Sequence, residues 1–367
     1  MWLERGESTF FIRSAPVVSH HDHEEAREMQ VLIGVDPHKR SHHAVAIDSD
    51  ERRLAELSVR AAKDQTKQLL AWAARFPERR WAIESAGGLG YLLSQQLVAA
   101  GEDVLDVPAT LAARVRVLGS GRSQKNDPND ALSTAIAALR HRSLRHVHAD
   151  DHRAILRMLA ARHHDLGALR TQAACRLHAA LAALIPGGFS GRLSAKRAAT
   201  MLRSVRPSDG VVAERKAQAA ELVADLRRLD AAIAAVRRRI VTAVDASKTS
   251  VIEVYGVGPV VAANIVGHTG DVRRFWTRNH YASYNGTAPI EASSGPRKRH
   301  RLNPRGNRQL NHAIHMAAVT QIRNDTAGRA YFERKLAEGK TKKEALRALK
   351  RRISDAVYRQ LLVDADR

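Results

Sequence analysis

An α/β domain on a mixed sheet, then a helical arm, then a mainly α-helical C-terminal domain is the fold class that this sequence predicts. Three observations carry it. Short apolar runs alternate with amphipathic stretches over residues 31–119. Leu222, Leu226, Leu229, Ile233, Val236 and Ile240 recur at spacings of 4, 3, 4, 3 and 4, an a/d seam of nearly three heptads. Beyond residue 250, apolar helical stretches are punctuated by glycine.

Taken in order, VLIGVD (31–36) and HHAVAID (42–48) are short apolar runs suited to buried strands, and RLAELSV (53–59) alternates with period two. Helix DQTKQLLAWAARF (64–76), strand WAIE (81–84), helix YLLSQQLVAAG (91–101), strand DVLDV (103–107) and helix ATLAARVRVLG (109–119) follow. Three consecutive strands, then strand–helix alternation, predict a mixed sheet with helices on both faces. That order matches the RNase H-like (RuvC-like) fold, which nucleases, transposases and resolvases share with actin-like and sugar kinases, so fold alone does not settle function. Residues 150–185 and 211–245 read as two long helices joined through IPGGFSGRLS and RPSDG, giving a helical hairpin or an inter-subunit coiled coil. In VIEVYGVGPVVAANIVGHTG (251–270), Gly256 and Gly258 lie between two apolar stretches, as in a helix–hairpin–helix, where backbone N–H groups can meet a DNA phosphate; a tight interhelical turn is the alternative. The expected divisions are an extension over 1–28, a catalytic domain over 29–148, the arm over 149–248 and the C-terminal domain over 249–367. Met29 offers a second start of translation just before the first strand.

Charge narrows the class of function. The 367 residues carry 60 Lys and Arg against 38 Asp and Glu, a net +22. The excess is +3 over 29–150, +10 over 151–250 and +12 over 251–367, so a nearly neutral module is joined to a basic grip for a polyanion, most simply nucleic acid. Aromatics make up only 4%, which argues against a binder built mainly on base stacking. The single Cys175 excludes a disulfide framework and a multi-thiolate zinc site. No apolar run approaches the ~18 residues of a membrane span, and the opening segment lacks a signal-peptide core, so the expected location is cytoplasmic. His20, His21, Asp22 and His23 read as part of a solvated tail.

Four acids stand at matching places. Asp36 ends the first strand, Glu84 the fourth, and Asp127 and Asp130 open a helix beyond the sheet, three apart on one face. In an RNase H-like sheet the first and fourth strands are neighbours, so these carboxylates can converge. Clustered carboxylates repel unless a cation joins them, and hard oxygen ligands suit Mg²⁺ or Mn²⁺. Two such ions ~3.5–4 Å apart would stabilise the attacking and leaving oxygens at a scissile phosphate. Each acid also has a plainer role: Asp36 precedes Pro37 in a turn, Glu84 ends a strand, and Asp127-Pro128-Asn129-Asp130 is a good helix start. Further along, Ser293-Ser294-Gly295 is separated only by Pro296 from RKRHRLNPRGNR (297–308), whose six cations, Arg297, Lys298, Arg299, Arg301, Arg305 and Arg308, are unmixed with acid and are expected to hold phosphates.

IGVDPHKRSHHAVAID, AIESAGG and QKNDPNDA resemble the four-acid DEDD catalytic domain of the bacterial insertion-sequence family numbered one hundred and ten. YGVGPVVAANI, ASYNGTAPIEASSG and RLNPRGNRQLNHAIHMAA resemble its C-terminal transposase domain, and the likeness spans roughly residues 30–360. The resemblance carries metal-binding acids onto Asp36, Glu84, Asp127 and Asp130, and a serine nucleophile onto Ser294, with Ser293 the neighbouring register. It implies a DNA transposase or recombinase that forms a phosphoserine link, is guided by a structured bridge RNA, and assembles on donor and target DNA as dimers and tetramers. Residues alone leave other readings: a metal nuclease or junction resolvase using water, a phosphotransferase with AGGLG (86–90) as a weak phosphate loop, or a DNA-binding protein without catalysis.

Overall fold

The computed structural model describes residues 31–118, 127–141, 143–191, 193–291, 300, 301, 303 and 306–367. The chain divides into two compact units, one ending at Asp150 and one running from Asp151 to Arg367.

The first unit runs β1 (Val31–Pro37), β2 (Ser41–Ile47), β3 (Arg53–Arg60), α1 (Gln65–Ala73), β4 (Arg79–Glu84), α2 (Tyr91–Ala99), β5 (Val104–Val107), α3 (Ala109–Leu118), α4 (Asp127–Arg140) and β6 (Arg145–His146). Its strands form one sheet in the order β3-β2-β1-β4-β5-β6. The three-strand meander is antiparallel, β1-β4-β5 is parallel, and β6 returns antiparallel at the edge. This is the RNase H-like strand order that the sequence predicts, with β6 as an addition too short to leave a periodic signal.

Both faces of the sheet are covered because alternate residues of its strands are apolar on each side. Ile33, Val35, Trp81 and Ile83 pack with Leu69, Trp72, Leu93 and Leu97 of α1 and α2. Leu32, Val45, Ala82 and Leu105 pack with Ala112 of α3 and Ala131, Ala135 and Ala138 of α4. At the start of β4, Glu102 accepts the Trp81 indole N–H at 2.6 Å and pairs with Arg79 at 2.5 Å, so the buried indole keeps a hydrogen bond.

The second unit holds α5 (His152–Ala182), α6 (Ala195–Ser204), α7 (Gly210–Ser247), α8 (Pro259–Thr269), α9 (Arg278–Tyr284), the hairpin strands β7 (Ile290–Glu291) and β8 (His300–Arg301), α10 (Arg308–Arg323), α11 (Ala327–Ala337) and α12 (Lys342–Ala365). Side-chain caps at Asp151, Ser194, Asp209, Thr277, Asn307 and Thr326 start helices here, and Thr341 with Glu344 closes a capping box on α12.

The two long helices run antiparallel. Leu177 and Leu181, late in α5, share a cluster with Ala219, Val223 and Leu226, early in α7. Leu156 and Leu159, early in α5, share another with Val236, Ile240 and Val244, late in α7. The a/d seam is therefore filled within the chain, as in a helical hairpin. The latter cluster continues into Ile265, Tyr281, Leu310, Ile314, Ile353 and Val357, so the arm expected over 149–248 and the domain expected over 249–367 share one core. Before the Gly256–Pro259 turn stands a four-residue 3₁₀ turn, Ser250–Glu253, in place of a full helix; α7 has just ended on Lys248 in the left-handed region at φ 51°.

Candidate active site

Strand register brings Asp36 and Glu84 together. Val35 pairs with Ile83 across the parallel β1–β4 ladder, so the next residues, Asp36 and Glu84, stand side by side at adjacent strand ends. Val35 and Ile83 face α1 and α2, and the pleat turns Asp36 and Glu84 toward α3 and α4.

The third acid arrives through a glycine. A Cβ on Gly34 would lie 2.2 Å from the Ala131 carbonyl oxygen and 2.6 Å from the Ala135 amide. Helix α4 can therefore sit directly on β1 only because residue 34 has no side chain. This seats Asp130, in the first turn of α4, at the end of the sheet where Asp36 and Glu84 stand. Asp36 and Asp130 are buried and Glu84 is half-buried.

The electrostatics record the convergence. Burial, and after it the charges of Asp36 and Asp130, push the Glu84 carboxyl above the usual carboxylate range; Arg116 and His38 oppose them. Arg116 of α3 donates to Asp130 Oδ1, and His38 Nδ1 lies 3.5 Å from Asp36 Oδ2. Three carboxylates thus share one neighbourhood with one guanidinium among them. The donor set suits a hard divalent cation: carboxylates only, no thiolate, and a mutual repulsion that a cation would relieve. Among the described residues no group of three or more His, Cys, Asp and Glu side chains closes into a metal-holding cluster. Asp127 begins α4, and its side chain lies outside the described residues.

The loop after Glu84 is held in a fixed form. Ser85 takes the left-handed region at φ 51°, uncommon for a residue with a Cβ. Its N–H donates to the Val107 carbonyl at 2.8 Å, and the Ala86 N–H donates to Asp106 Oδ1 at 2.9 Å. Arg145 braces the same Asp106 at 2.7 Å. A Cβ on Gly90 would meet Ile83 Cγ2 at 2.6 Å and Pro37 Cγ at 3.2 Å. Glycine at position 90 of AGGLG is thus explained by packing on the ends of β1 and β4.

The C-terminal candidates divide. Ser293, Ser294, Arg297, Lys298, Arg299 and Arg305 lie outside the described residues. Arg301 is described for its backbone alone, in β8 opposite Ile290, and Arg308 is exposed at the start of α10. What is described is the frame of that loop. A Cβ on Gly306 would lie 2.5 Å from Gly286 Cα, so two glycines pinch the loop's base. Asn307 N–H donates to Tyr284 O at 2.6 Å, and Asn311 Nδ2 donates to Asn285 O at 3.0 Å. Lys350 donates to Asn311 Oδ1 at 2.5 Å, and burial pushes its ammonium down to about 8. Gly256 takes φ 85° and lies against Ala317 of α10, so its lack of a Cβ serves packing; Gly258 caps α8 in open space.

Sequence reasoning passes over Gly34, Arg116, His38 and Lys350. A glycine inside the apolar run VLIGVD is the one available signal, since glycine in a strand marks a close backbone approach.

Comparison with known proteins bears on the family. Residues 33–186 match a transposase family model, the DEDD transposase of IS110, and residues 249–333 match the transposase family of IS116, IS110 and IS902. The 44.8 kDa protein of insertion element IS116 from Streptomyces clavuligerus is 29% identical over 91% of this chain and 95% of its own length. The 42 kDa protein of insertion element IS900 from Mycobacterium paratuberculosis is 29% identical over 90% and 95%. Among solved structures, Thermus thermophilus RuvC is 18% identical and covers 32% of this chain and 99% of its own, with a TM-score of 0.26. Two family models in chain order, and full-length insertion-element relatives, give one conclusion: the chain belongs to the IS110 family of transposases, enzymes acting on DNA.

Proposed function

We propose that this transposase cuts and rejoins DNA strands through a phosphoserine intermediate, with Ser294 as nucleophile and Asp36, Glu84, Asp127 and Asp130 as the holders of a divalent cation, Mg²⁺ or Mn²⁺. The observation that carries the acidic half is the placement of Asp36, Glu84 and Asp130 at one end of the sheet by the β1–β4 register and the seat of α4 on Gly34, with burial and the two neighbouring acids raising the Glu84 carboxyl. A divalent cation held there would polarise the oxygens of the scissile phosphate. Arg116, paired with Asp130, is placed to orient that acid. His38 Nδ1 stands beside Asp36 Oδ2 in the same way.

In the proposed step, Ser294 Oγ bonds to the phosphorus, and the P–O bond to the departing strand breaks. The serine proton ends on the departing hydroxyl. Attack by the hydroxyl of an incoming strand reverses the exchange and frees the serine, so no external energy source is needed. Arg297, Lys298, Arg299, Arg301, Arg305 and Arg308 would neutralise the phosphates of the bound strands, with Gly256 and Gly258 offering backbone N–H groups. Family membership and the +12 charge of residues 251–367 support a DNA partner, and the same reading includes a bridge RNA and assembly into dimers and tetramers on DNA.

Denaturing a reaction on labelled DNA is expected to trap a protein–DNA adduct that maps to Ser294 and disappears in Ser294→Ala while DNA binding persists. Cleavage by the Ala variant at the parent rate, with no adduct in either protein, would instead assign the chemistry to water at the acidic site.

A further inference from the structure

Trp276 stands apart from the other described tryptophans. Trp81 is fully buried and Trp72 is 8% exposed, whereas Trp276 is 85% exposed, the most exposed large apolar side chain among the described residues. An indole left in water forfeits the burial of a large apolar surface, so its position asks what covers it.

The backbone that presents it is fixed on both sides. Phe275 is buried against Tyr281 and Tyr284, with ring centroids 5.3 and 5.1 Å away, and its carbonyl accepts the Tyr358 hydroxyl at 2.7 Å. Asn279 Oδ1 accepts from Arg351 at 2.6 Å. Between these anchors the Trp276 ring extends into solvent, with His280 one turn on, 6.1 Å away and tilted by 49°. Arg273, Arg274 and Arg278 lie within three residues in sequence; Arg273 pairs with Asp366 at 3.4 Å, and Arg274 lies over the Phe275 and Tyr284 rings.

An open π-face on an anchored backbone, with arginines beside it in sequence, fits one ligand chemistry. We infer that Trp276 is a stacking platform for an unpaired nucleobase of a nucleic acid bound by the second unit. Every base offers a π-face, and adjacent cations hold its phosphate. A protein partner seated on this patch would have to bring acids to it, and a second copy of this chain would set its arginines against these. The inference rests on the nucleic-acid reading of the basic half and goes beyond it by naming a contact to a base.

The test uses the full chain, titrated with oligo(dT), oligo(rU) and a blunt duplex while Trp276 fluorescence is read as the parent signal minus that of Trp276→Phe. Quenching by one or both single strands and not by the duplex is expected, and which strand quenches tells DNA from RNA as the source of the base. Trp276→Ala is expected to weaken single-strand binding about 5- to 150-fold, Trp276→Phe less, with the salt slope unchanged because every cation that faces a phosphate is still in place. Equal quenching by duplex, unchanged single-strand affinity in Trp276→Ala, or a signal that follows protein concentration alone overturns the inference. A chain that binds neither duplex nor single strand overturns the nucleic-acid reading itself, a failure distinct from duplex binding that leaves Trp276 unmoved.

Discussion

At the scale of single residues, Glu84 links stability to function. Its folded-state carboxyl is raised above its ordinary value of 4.5, so the fold favours the neutral form. A raised folded value means a contribution to stability that is present below pH 4.5 and lost as pH rises through the raised value. In chelator, Glu84→Gln is therefore expected to melt at or above the parent temperature at pH 8. Divalent cation should raise the melting temperature of the parent and leave the variant unchanged. Strand transfer by the variant should fall about 10²- to 10³-fold, since ligand loss removes several kcal/mol of charge stabilisation. A Gln variant that melts well below the parent at pH 8, or retains full activity, would show that Glu84 is only a strand terminus.

At the scale of elements, the seat of α4 on β1 decides whether Asp130 reaches the other two acids. The sequence predicts the strand and the helix separately, from apolar runs and from Asp-Pro at a helix start. Their separation is set by Gly34, whose added Cβ would overlap the α4 backbone at Ala131 and Ala135. Gly34→Ala is expected to destabilise the first unit by about 1–3 kcal/mol, because backbone cannot step aside as a flexible side chain would. It should also lift Asp130 from Asp36 and Glu84, lowering activity further than stability alone explains. Melting and strand transfer measured together check this; parent values in both would mean that α4 does not rest on β1 as described. The long helices behave in the opposite way. Their seam is legible as a 4, 3, 4, 3, 4 pattern because helix packing repeats locally, and Leu226, Val236 and Ile240 are buried where that pattern puts them.

At the scale of the whole molecule, charge separates the work. The acids of the candidate site lie in a unit with little net charge, and the excess of cations lies in the second unit. Counterion release then makes duplex binding steeply salt-dependent. Replacing Arg301 and Arg305 together by Ala is expected to flatten the log–log slope by about 1.8, roughly 0.9 for each phosphate that no longer meets a cation. An unchanged slope would assign that loop to solvent. Among the described residues no helix is long and apolar enough to cross a membrane.

The sequence by itself determined the first five strands of the first unit, the long helical pair and the elements that carry the acids. Each is written in a local period or a short motif, and a period needs no knowledge of distant residues. Tertiary structure alone decided the rest. Arg116 meets Asp130 from a different helix, Gly286 meets Gly306 across a loop, and Lys350 meets Asn311 across 39 residues. Trp276 reads in sequence like any core aromatic, and only the packing of Phe275 inward turns its neighbour out to solvent. Contacts of this kind depend on where two backbones come to lie, which is fixed by the packing of the whole unit and leaves no repeat in the chain.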